Sequence, residues 1–261
     1  MCIWMYVFTE RTMKKKSRQN FILDKLQVAN KVHTPQLAMD LDVSEDTIRR
    51  DLNEMSLKGL LTKVHGGAVA SIQQLYYYND NVVKHTEEKN MIAQKAVTLL
   101  QDGMSIIITD GTTNLSFARH IPKDFCGTVF TYCLPIAMEL TALANVEIIL
   151  IGGKVEKDTM VTLGNDVSEK FSRIRADLCF IGTGSLDAES GIFEESYEVS
   201  LIKRRIVASS DGVVSLATSA KLGIRQTHLV CSPHDIDYLV TELDPAHSLL
   251  GPYRSWKTSL M

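Results

Sequence analysis

The stretch from Leu37 to Gly67, LAMDLDVSEDTIRRDLNEMSLKGLLTKVHGG, limits this chain more than any other. Leu37, Ala38 and Leu41 fit one face of a short helix, and Asp42-Val43 a turn. Thr34-Pro35 caps that helix at its start, where the N–H that proline lacks has no partner. Ser44 opens a second helix. Its oxygen can accept from first-turn N–H groups, and Glu45 and Asp46 suit the positive end of the helix dipole. Ile48, Leu52 and Met55 fall at i, i+4 and i+7 and share a buried face. At about 100° per residue, Asp46, Arg50 and Asn53 point away from it, with Thr47 and Arg49 on the flanks. Gly59 ends the helix, and Leu60 to His65 alternates like a strand before Gly66-Gly67. Two helices, a tight turn and a β wing describe a winged helix-turn-helix.

This arrangement presents Ser44, Asp46, Thr47, Arg49, Arg50 and Asn53 to a DNA groove, Arg and Asn being suited to guanine and adenine edges. Lys63 and His65 in the wing can meet phosphates or the minor groove. The plainer reading of the same spacing is an amphipathic helix pair with a solvated basic face. Charge favours the first reading. The whole chain carries −3, yet Lys14 to Gly66 holds ten Lys/Arg against seven Asp/Glu. That is +3 on the head and, residues 1–13 being neutral, −6 on the rest. A basic head on an acidic body suits contact with phosphates at one end. A helix over Lys14 to Val28, with Phe21, Ile22 and Leu26 inward, brings Lys15 and its neighbours to the DNA backbone.

Residues 1–12, MCIWMYVFTERT, read as an upstream extension with Met13 as the start; a weak membrane-surface anchor is the alternative. No apolar run approaches membrane length. The five cysteines form no C-x-x-C pair and read as reduced residues of a cytoplasmic protein.

The domains expected are a winged helix-turn-helix over 14–70, a linker over 71–83 containing Tyr76-Tyr77-Tyr78, an α/β body over 84–245 and an irregular tail over 246–261. In the body, strands at Met104–Thr109, Thr128–Thr131, Val146–Ile151, Asp177–Thr183, Val213–Ala217, His228–Cys231 and Tyr238–Val240 alternate mostly with helices, the grammar of a mainly parallel sheet. Ligands of such sheets bind beyond the carboxyl ends of the strands. Three of those ends carry glycine or hydroxyl loops: Asp110-Gly111-Thr112-Thr113, Gly152-Gly153 and Gly182-Thr183-Gly184. Glycine lets the backbone approach an anion, and Thr112 and Thr113 add donors at a helix start. Neither a Walker loop nor a G-x-G-x-x-G is present, which disfavours nucleotides. No metal-ligand spacing and no cofactor motif stands out; His234, Asp235 and Asp237 read as a strand-entry loop.

The words VSEDTIRRDL and LLTKVHGGA, then DGTT, IGG, ADLCFIGTGSLDAESGIFEESYEVSLIKRR and SAKLG, resemble the DeoR family of bacterial transcriptional repressors over nearly the whole chain from Lys14. Within it the chain looks closest to regulators of hexitol and related sugar operons. The resemblance implies an α/β chain: a winged helix-turn-helix plus a larger sensor domain related in fold to ribose-5-phosphate isomerase. It implies a repressor released from double-stranded operator DNA by a phosphorylated sugar, without a cofactor. By the same resemblance Asp110, Gly111, Thr112, Thr113, Gly152, Gly153, Gly182, Glu198, Lys203 and Lys221 line the effector cleft; taken singly, each lysine could be a plain surface residue. Operators that mirror protein symmetry imply a homo-oligomer. Two departures stand out. Thr131-Tyr132 replaces a frequent Thr-Asn, and Thr218 a frequent Asp; both remove groups that could contact a sugar. A phosphosugar isomerase fused to a DNA-binding head is the enzymatic alternative, with Asp187, Glu189, Glu194 or Glu195 as base. A DNA-binding architectural protein with an inert body is a third, disfavoured by the glycine loops.

Overall fold

A computed structural model describes residues 15–29, 31–57, 60–69 and 86–261. Residues 1–14, Gly59 and the 71–83 segment, on which several of the expectations above fall, lie outside the described residues. The chain divides into two compact units, with the boundary between residues 77 and 78.

In the first unit, α1 (Lys15–Ala29), α2 (Thr34–Asp40) and α3 (Glu45–Leu57) surround a core of Ile22, Leu26, Leu37, Ile48, Leu52 and Met55. Ser44 caps α3 as the sequence indicates: its Oγ accepts from Thr47 N–H at 3.2 Å. Thr34 does not cap α2. It is the first helical residue and is buried, His33 takes the cap position, and Pro35 follows in the first turn. The wing is a three-stranded sheet, β1 (Lys31–His33), β3 (Gly67–Val69) and β2 (Thr62–Val64) in that spatial order. β1 and β3 are too short to show a period in sequence. A Cβ at Gly67 would lie 1.9 Å from the Val32 carbonyl oxygen, so only glycine lets these two strands meet.

One buried residue of α3 is charged. Asp51 is 2% exposed and accepts from Arg18 Nε of α1 at 2.5 Å. The pair locks α1 onto the buried side of α3. Removing one partner of such a pair strands the other charge in a low-dielectric site, at a cost of about 3–5 kcal/mol.

The second unit is built on a seven-stranded, all-parallel sheet. Its strands are β4 (Ser105–Ile108), β5 (Gly127–Thr131), β6 (Val146–Leu150), β9 (Ala176–Gly182), β12 (Ser210–Leu216), β14 (Tyr238–Val240) and β15 (Ser259–Leu260). The order is β15-β14-β12-β9-β4-β5-β6. The middle of the central pair is apolar, with Ile106, Ile107 and Ile108 of β4 and Cys179, Phe180 and Ile181 of β9 fully buried. That is the signature of strands covered on both faces. α4 (Thr86–Ala96) precedes β4, and the crossovers carry α5 (Thr112–His120), α6 (Leu134–Leu140), α7 (Asn165–Phe171) and α8 (Tyr197–Ala208).

From β4 the chain steps outward through β5 to β6, then returns to β9 on the other side of β4 and steps outward again. The strand order therefore reverses between β4 and β9. In open α/β sheets a crevice forms outside the carboxyl ends at that reversal.

Two sequence expectations change. His228–Cys231 is a strand, β13, but it pairs antiparallel with β11 (Gly191–Glu194) in a small separate sheet with β10 (Ser185–Asp187). The expected irregular tail is ordered. Ser248–Ser255 forms a 3-10 helix, and β15 adds the edge strand beside β14. Proline and glycine there suit a tight 3-10 turn, and buried aromatics anchor it: Tyr253 Oη donates to Leu186 O at 3.0 Å and Trp256 Nε1 to Ala188 O at 2.8 Å. A hairpin of β7 (Lys154–Glu156) and β8 (Val161–Leu163) also escapes sequence reading, its strands having three residues each.

Candidate nucleic-acid face and effector site

On α3, Arg50 and Asn53 are exposed as the helical spacing requires. Arg50 has no hydrogen bond or ion pair among the described residues. Arg49, by contrast, is held by Glu45 at 3.0 Å and Asp46 at 3.5 Å. Thr47 Oγ1 lies 2.9 Å from Ser44 Oγ within the cap. Lys63 of the wing donates to Asn53 Oδ1 at 2.6 Å, Lys15 pairs with Glu54, and His65 is exposed at the wing turn. The structure thus gathers all nine DNA-contact candidates in the first unit but leaves them unequal. Arg50 is uncommitted, while Arg49, Asn53, Lys63 and Lys15 each hold an internal contact.

At the strand-order reversal, the ends of β4 and β9 touch. A Cβ at Gly182 would lie 2.0 Å from the Asp110 carbonyl oxygen, and Gly111 has φ +115, a conformation open to glycine. Gly111 then starts α5, so Thr112 and Thr113 present first-turn N–H groups and hydroxyls, both half-buried. Thr109 Oγ1 accepts from Gly182 N–H at 2.8 Å. Asn114, fully buried, donates to the carbonyls of Thr109 at 2.9 Å and Phe180 at 3.0 Å. These bonds fix the loop against the neighbouring strand.

Beneath this loop lies a buried ionic cluster. Lys203 of α8 is 1% exposed; its Nζ donates to Gly182 O at 2.7 Å and Glu194 Oε2 at 2.6 Å and lies 3.2 Å from Asp110 Oδ1. Burial alone would push this ammonium towards neutrality. The charges of Asp110 and Glu194 and their hydrogen bonds outweigh it and hold the Lys203 pKa above the ordinary lysine value. Tyr132, also fully buried, donates its hydroxyl to the same Asp110 oxygen.

Two more lysines flank the cluster. Lys221 ends the 3-10 turn Ser219–Lys221 after β12 and keeps an exposed surface. Protein surrounds it so closely that desolvation, aided by the charge of Lys203 and opposed by Glu194 and Glu195, lowers its pKa. Lys89 of α4 is half-buried, and desolvation, with the charge of Lys221, lowers its pKa to about 8. Two cations that disfavour each other's charge make a place where an anion is stabilising.

The candidate effector residues divide accordingly. Asp110, Gly111, Thr112, Thr113, Gly182 and Lys203 meet at the β4/β9 reversal, and Lys221 is near enough to feel Glu194 and Lys203. Glu198 does not join them; it is exposed on the first turn of α8, and Glu194 is the carboxylate that holds Lys203. Gly152 and Gly153 follow β6, two strands or about 10 Å from β4. Gly152 O accepts from Lys170 Nζ at 3.0 Å, and a Cβ at Gly153 would meet Val167 and the Leu163 carbonyl. Those contacts give Gly153 a packing reason. Sequence reading missed Lys89, Asn114 and the role of Glu194. Asn114 stands four residues after Asp110, one helical turn along, and was legible by spacing; the other two were not. A recess of about 480 Å³ lies elsewhere, beside the amino end of β12 with Arg204, Asp211 and His234 among its walls, away from this chemistry.

Among the described residues no group of three or more His, Cys, Asp or Glu is placed to hold a metal, and no helix is long and apolar enough to cross a membrane.

Two family comparisons agree with this geometry. Residues 18–74 match the DeoR-like helix-turn-helix domain and residues 84–243 the DeoR C terminal sensor domain. The chain belongs to the DeoR family. It is similar to the HTH-type transcriptional regulator GolR of Listeria innocua, 33% identical over 86% of this chain and 89% of that one. It is also similar to the HTH-type transcriptional repressor GlcR of Bacillus subtilis, at 32% over 89% and 90%. The glycerol-3-phosphate regulon repressor of Escherichia coli is 28% identical over 91% and 95%. Among solved structures, the chain is similar to ribose 5 phosphate isomerase A from Neisseria gonorrhoeae, with TM-score 0.38, 15% identity and coverage of 51% and 52%. The tetrameric eIF2B-beta2-delta2 complex from C. thermophilum gives 0.49, 13%, 94% and 90%. Neither likeness is close enough to bear on chemistry. As a member of the DeoR family the chain is a DNA-binding transcriptional regulator.

The two glycine sites are separable by substitution. Gly182→Ala drives a methyl into the Asp110 carbonyl and is expected to destabilise the body by about 1–3 kcal/mol or more. Gly152→Ala meets nothing within 4 Å and is expected to stay within about 0.5 kcal/mol of wild type. Thermal melts of both variants check the contrast; equal stabilities would remove Gly182 from its proposed role at the strand crossing.

Proposed function

We propose that this DeoR-family regulator represses a carbohydrate-utilisation operon in the cytoplasm. It binds double-stranded operator DNA as a homo-oligomer and is released by a phosphorylated sugar held at the ends of β4, β9 and β12. What supports the sensor half is the meeting of the Asp110-Gly111 and Gly182 loops and the first turn of α5 over a buried Lys203 already neutralised by Asp110 and Glu194, with Lys221 near enough to feel Glu194 and Lys203. Lys221, whose charge burial disfavours, is stabilised by an incoming anion. The relative named as the glycerol-3-phosphate regulon repressor supports the same class of effector. Three of the four carboxylates that an isomerase could use are committed elsewhere: Asp187 and Glu189 pair with Arg225 and Glu194 with Lys203. This favours a sensor over an enzyme, and turnover of a sugar phosphate at an enzyme-like rate would contradict it.

On DNA, Arg50 reads a base edge and Lys15, Lys63 and His65 meet the backbone. An effector can release the operator only by binding the DNA-free state better. A hundredfold loss of operator affinity corresponds to a coupling of about 2.7 kcal/mol, within the usual allosteric range. In a gel shift, Arg50→Ala is expected to lose about 1–3 kcal/mol of sequence discrimination per half-site while the fold survives. Lys15→Ala should weaken all sequences alike and flatten the salt dependence. Operator binding by Arg50→Ala as selective as wild type would refute the assigned groove face.

The response should also depend on pH. An anion favours the charged form of Lys89, which is present below about pH 8 and lost above it. A phosphate ester gains its second charge near pH 6. Effector affinity is therefore expected to be greatest between those limits and to fall as pH rises above 8. In Lys89→Met the alkaline limb should flatten. Calorimetric titrations across pH 5.5–9.5 read this directly, and an alkaline limb unchanged in the variant would exclude Lys89 from the site.

A further inference from the structure

Tyr132 is placed where it controls what Asp110 can bind. It follows the last residue of β5, and its carbonyl is held by Thr162 through N–H at 2.9 Å and Oγ1 at 3.3 Å, so the backbone is pinned. Its ring stands edge-on to Phe171, with centroids 6.0 Å apart and planes at 85°. Its hydroxyl donates to Asp110 Oδ1, the oxygen that also faces Lys203 at 3.2 Å. A carboxylate oxygen accepts about two hydrogen bonds, so this one is saturated from within the protein. The Asp110 side chain is 2% exposed, and the Tyr132 hydroxyl is part of what covers this oxygen.

A phosphorylated sugar offers two handles, a dianionic phosphate and a row of hydroxyls. Lysines and first-turn N–H groups read the phosphate. A carboxylate with a free lone pair reads hydroxyls, which donate to it. With that Asp110 oxygen already occupied, what remains around the loop from Gly111 to Thr113 is chiefly a set of donors. We propose that Tyr132 is the specificity-determining residue of the effector site: by occupying the Asp110 oxygen it withdraws the acceptor a sugar hydroxyl would use, so the site reads the phosphate and is nearly indifferent to the hydroxyls beyond it. The inference rests on the sensor reading above. It assigns Tyr132 no contact with the phosphate.

The test uses the full chain and its Tyr132→Phe variant, which keeps the ring against Phe171 and deletes only the hydroxyl. Inorganic phosphate, glycerol 3-phosphate and glucose 6-phosphate are titrated by calorimetry, with a thermal melt of each protein as a check of folding. Wild type is expected to bind the two esters within about threefold of each other. In Tyr132→Phe, glucose 6-phosphate should tighten about tenfold or more, the worth of one hydrogen bond to a charged group, while inorganic phosphate is unchanged. Tyr132→Asn, which also empties the volume of the ring, should shift selectivity in the same direction. Unchanged selectivity in both variants overturns the role of Tyr132 and leaves the sensor reading standing, as does a loss of glucose 6-phosphate affinity in Tyr132→Phe. Absence of binding by any of the three ligands to any of the three proteins overturns the sensor reading and this inference together.

Discussion

A single ammonium group buried under the β4/β9 junction sets the terms for the rest of the sensor unit. Lys203 cannot stay charged at 1% exposure without partners, and the fold supplies three: the Gly182 carbonyl, Glu194 and Asp110. Each partner fixes a different element. Gly182 ends β9, Asp110 leads into α5, and Glu194 ends β11, which belongs to the small sheet rather than the main one. The cluster therefore ties two sheets and two helices at the point where the strand order reverses. Desolvation makes the arrangement unforgiving, because losing one partner leaves a buried charge uncompensated. It also consumes the inner carboxylates, Asp110 and Glu194.

The DNA-binding unit solves a smaller version of the same problem. Asp51 faces the core of α3, and Arg18 from α1 neutralises it. With that charge settled inside, the outer face of α3 is free to vary in function. Its neighbours spend their charges on one another, Arg49 on Glu45 and Asp46, and Lys63 on Asn53. Arg50 is left as a donor fork directed away from the core. The hydrogen bond from Lys63 to Asn53 lies on the exposed surface of this unit.

Much of this was legible in the sequence, and the gaps have physical reasons. The period of Ile48, Leu52 and Met55 located α3, and the Ser44 cap and the Gly66 turn followed from side-chain chemistry. The strand ends of the body followed from apolar runs bounded by Gly-Thr loops, and so did Asp110, Gly111 and Gly182. Three-residue strands such as β7, β8 and β10 are shorter than any period and could not be found. The register that sends β13 to β11 rather than to the main sheet is a long-range fact. Glu194 sat in an acidic stretch that reads as a solvated turn; only the hairpin reveals that its carboxylate turns inward to Lys203, while Glu198 points out. Tyr132 stood out from the family pattern in sequence, but its bond to Asp110 depends on how β5 lies beside β4. The tail looked irregular because Pro245, Gly251 and Pro252 obscure an edge strand of two residues.

If the buried cluster both holds the sensor unit together and frames its effector site, one variant tests both at once. Lys203→Met removes the charge while keeping the length of the side chain, leaving Asp110 and Glu194 buried without their cation. Operator binding and its release by phosphorylated sugars, measured by fluorescence anisotropy alongside a two-transition melt, is the direct measurement. The expected result is a sensor unit weakened by about 3–5 kcal/mol, a DNA-binding unit that still recognises the operator, and no release by ligand. A Lys203→Met protein as stable as wild type that releases DNA at wild-type ligand concentrations would contradict the account.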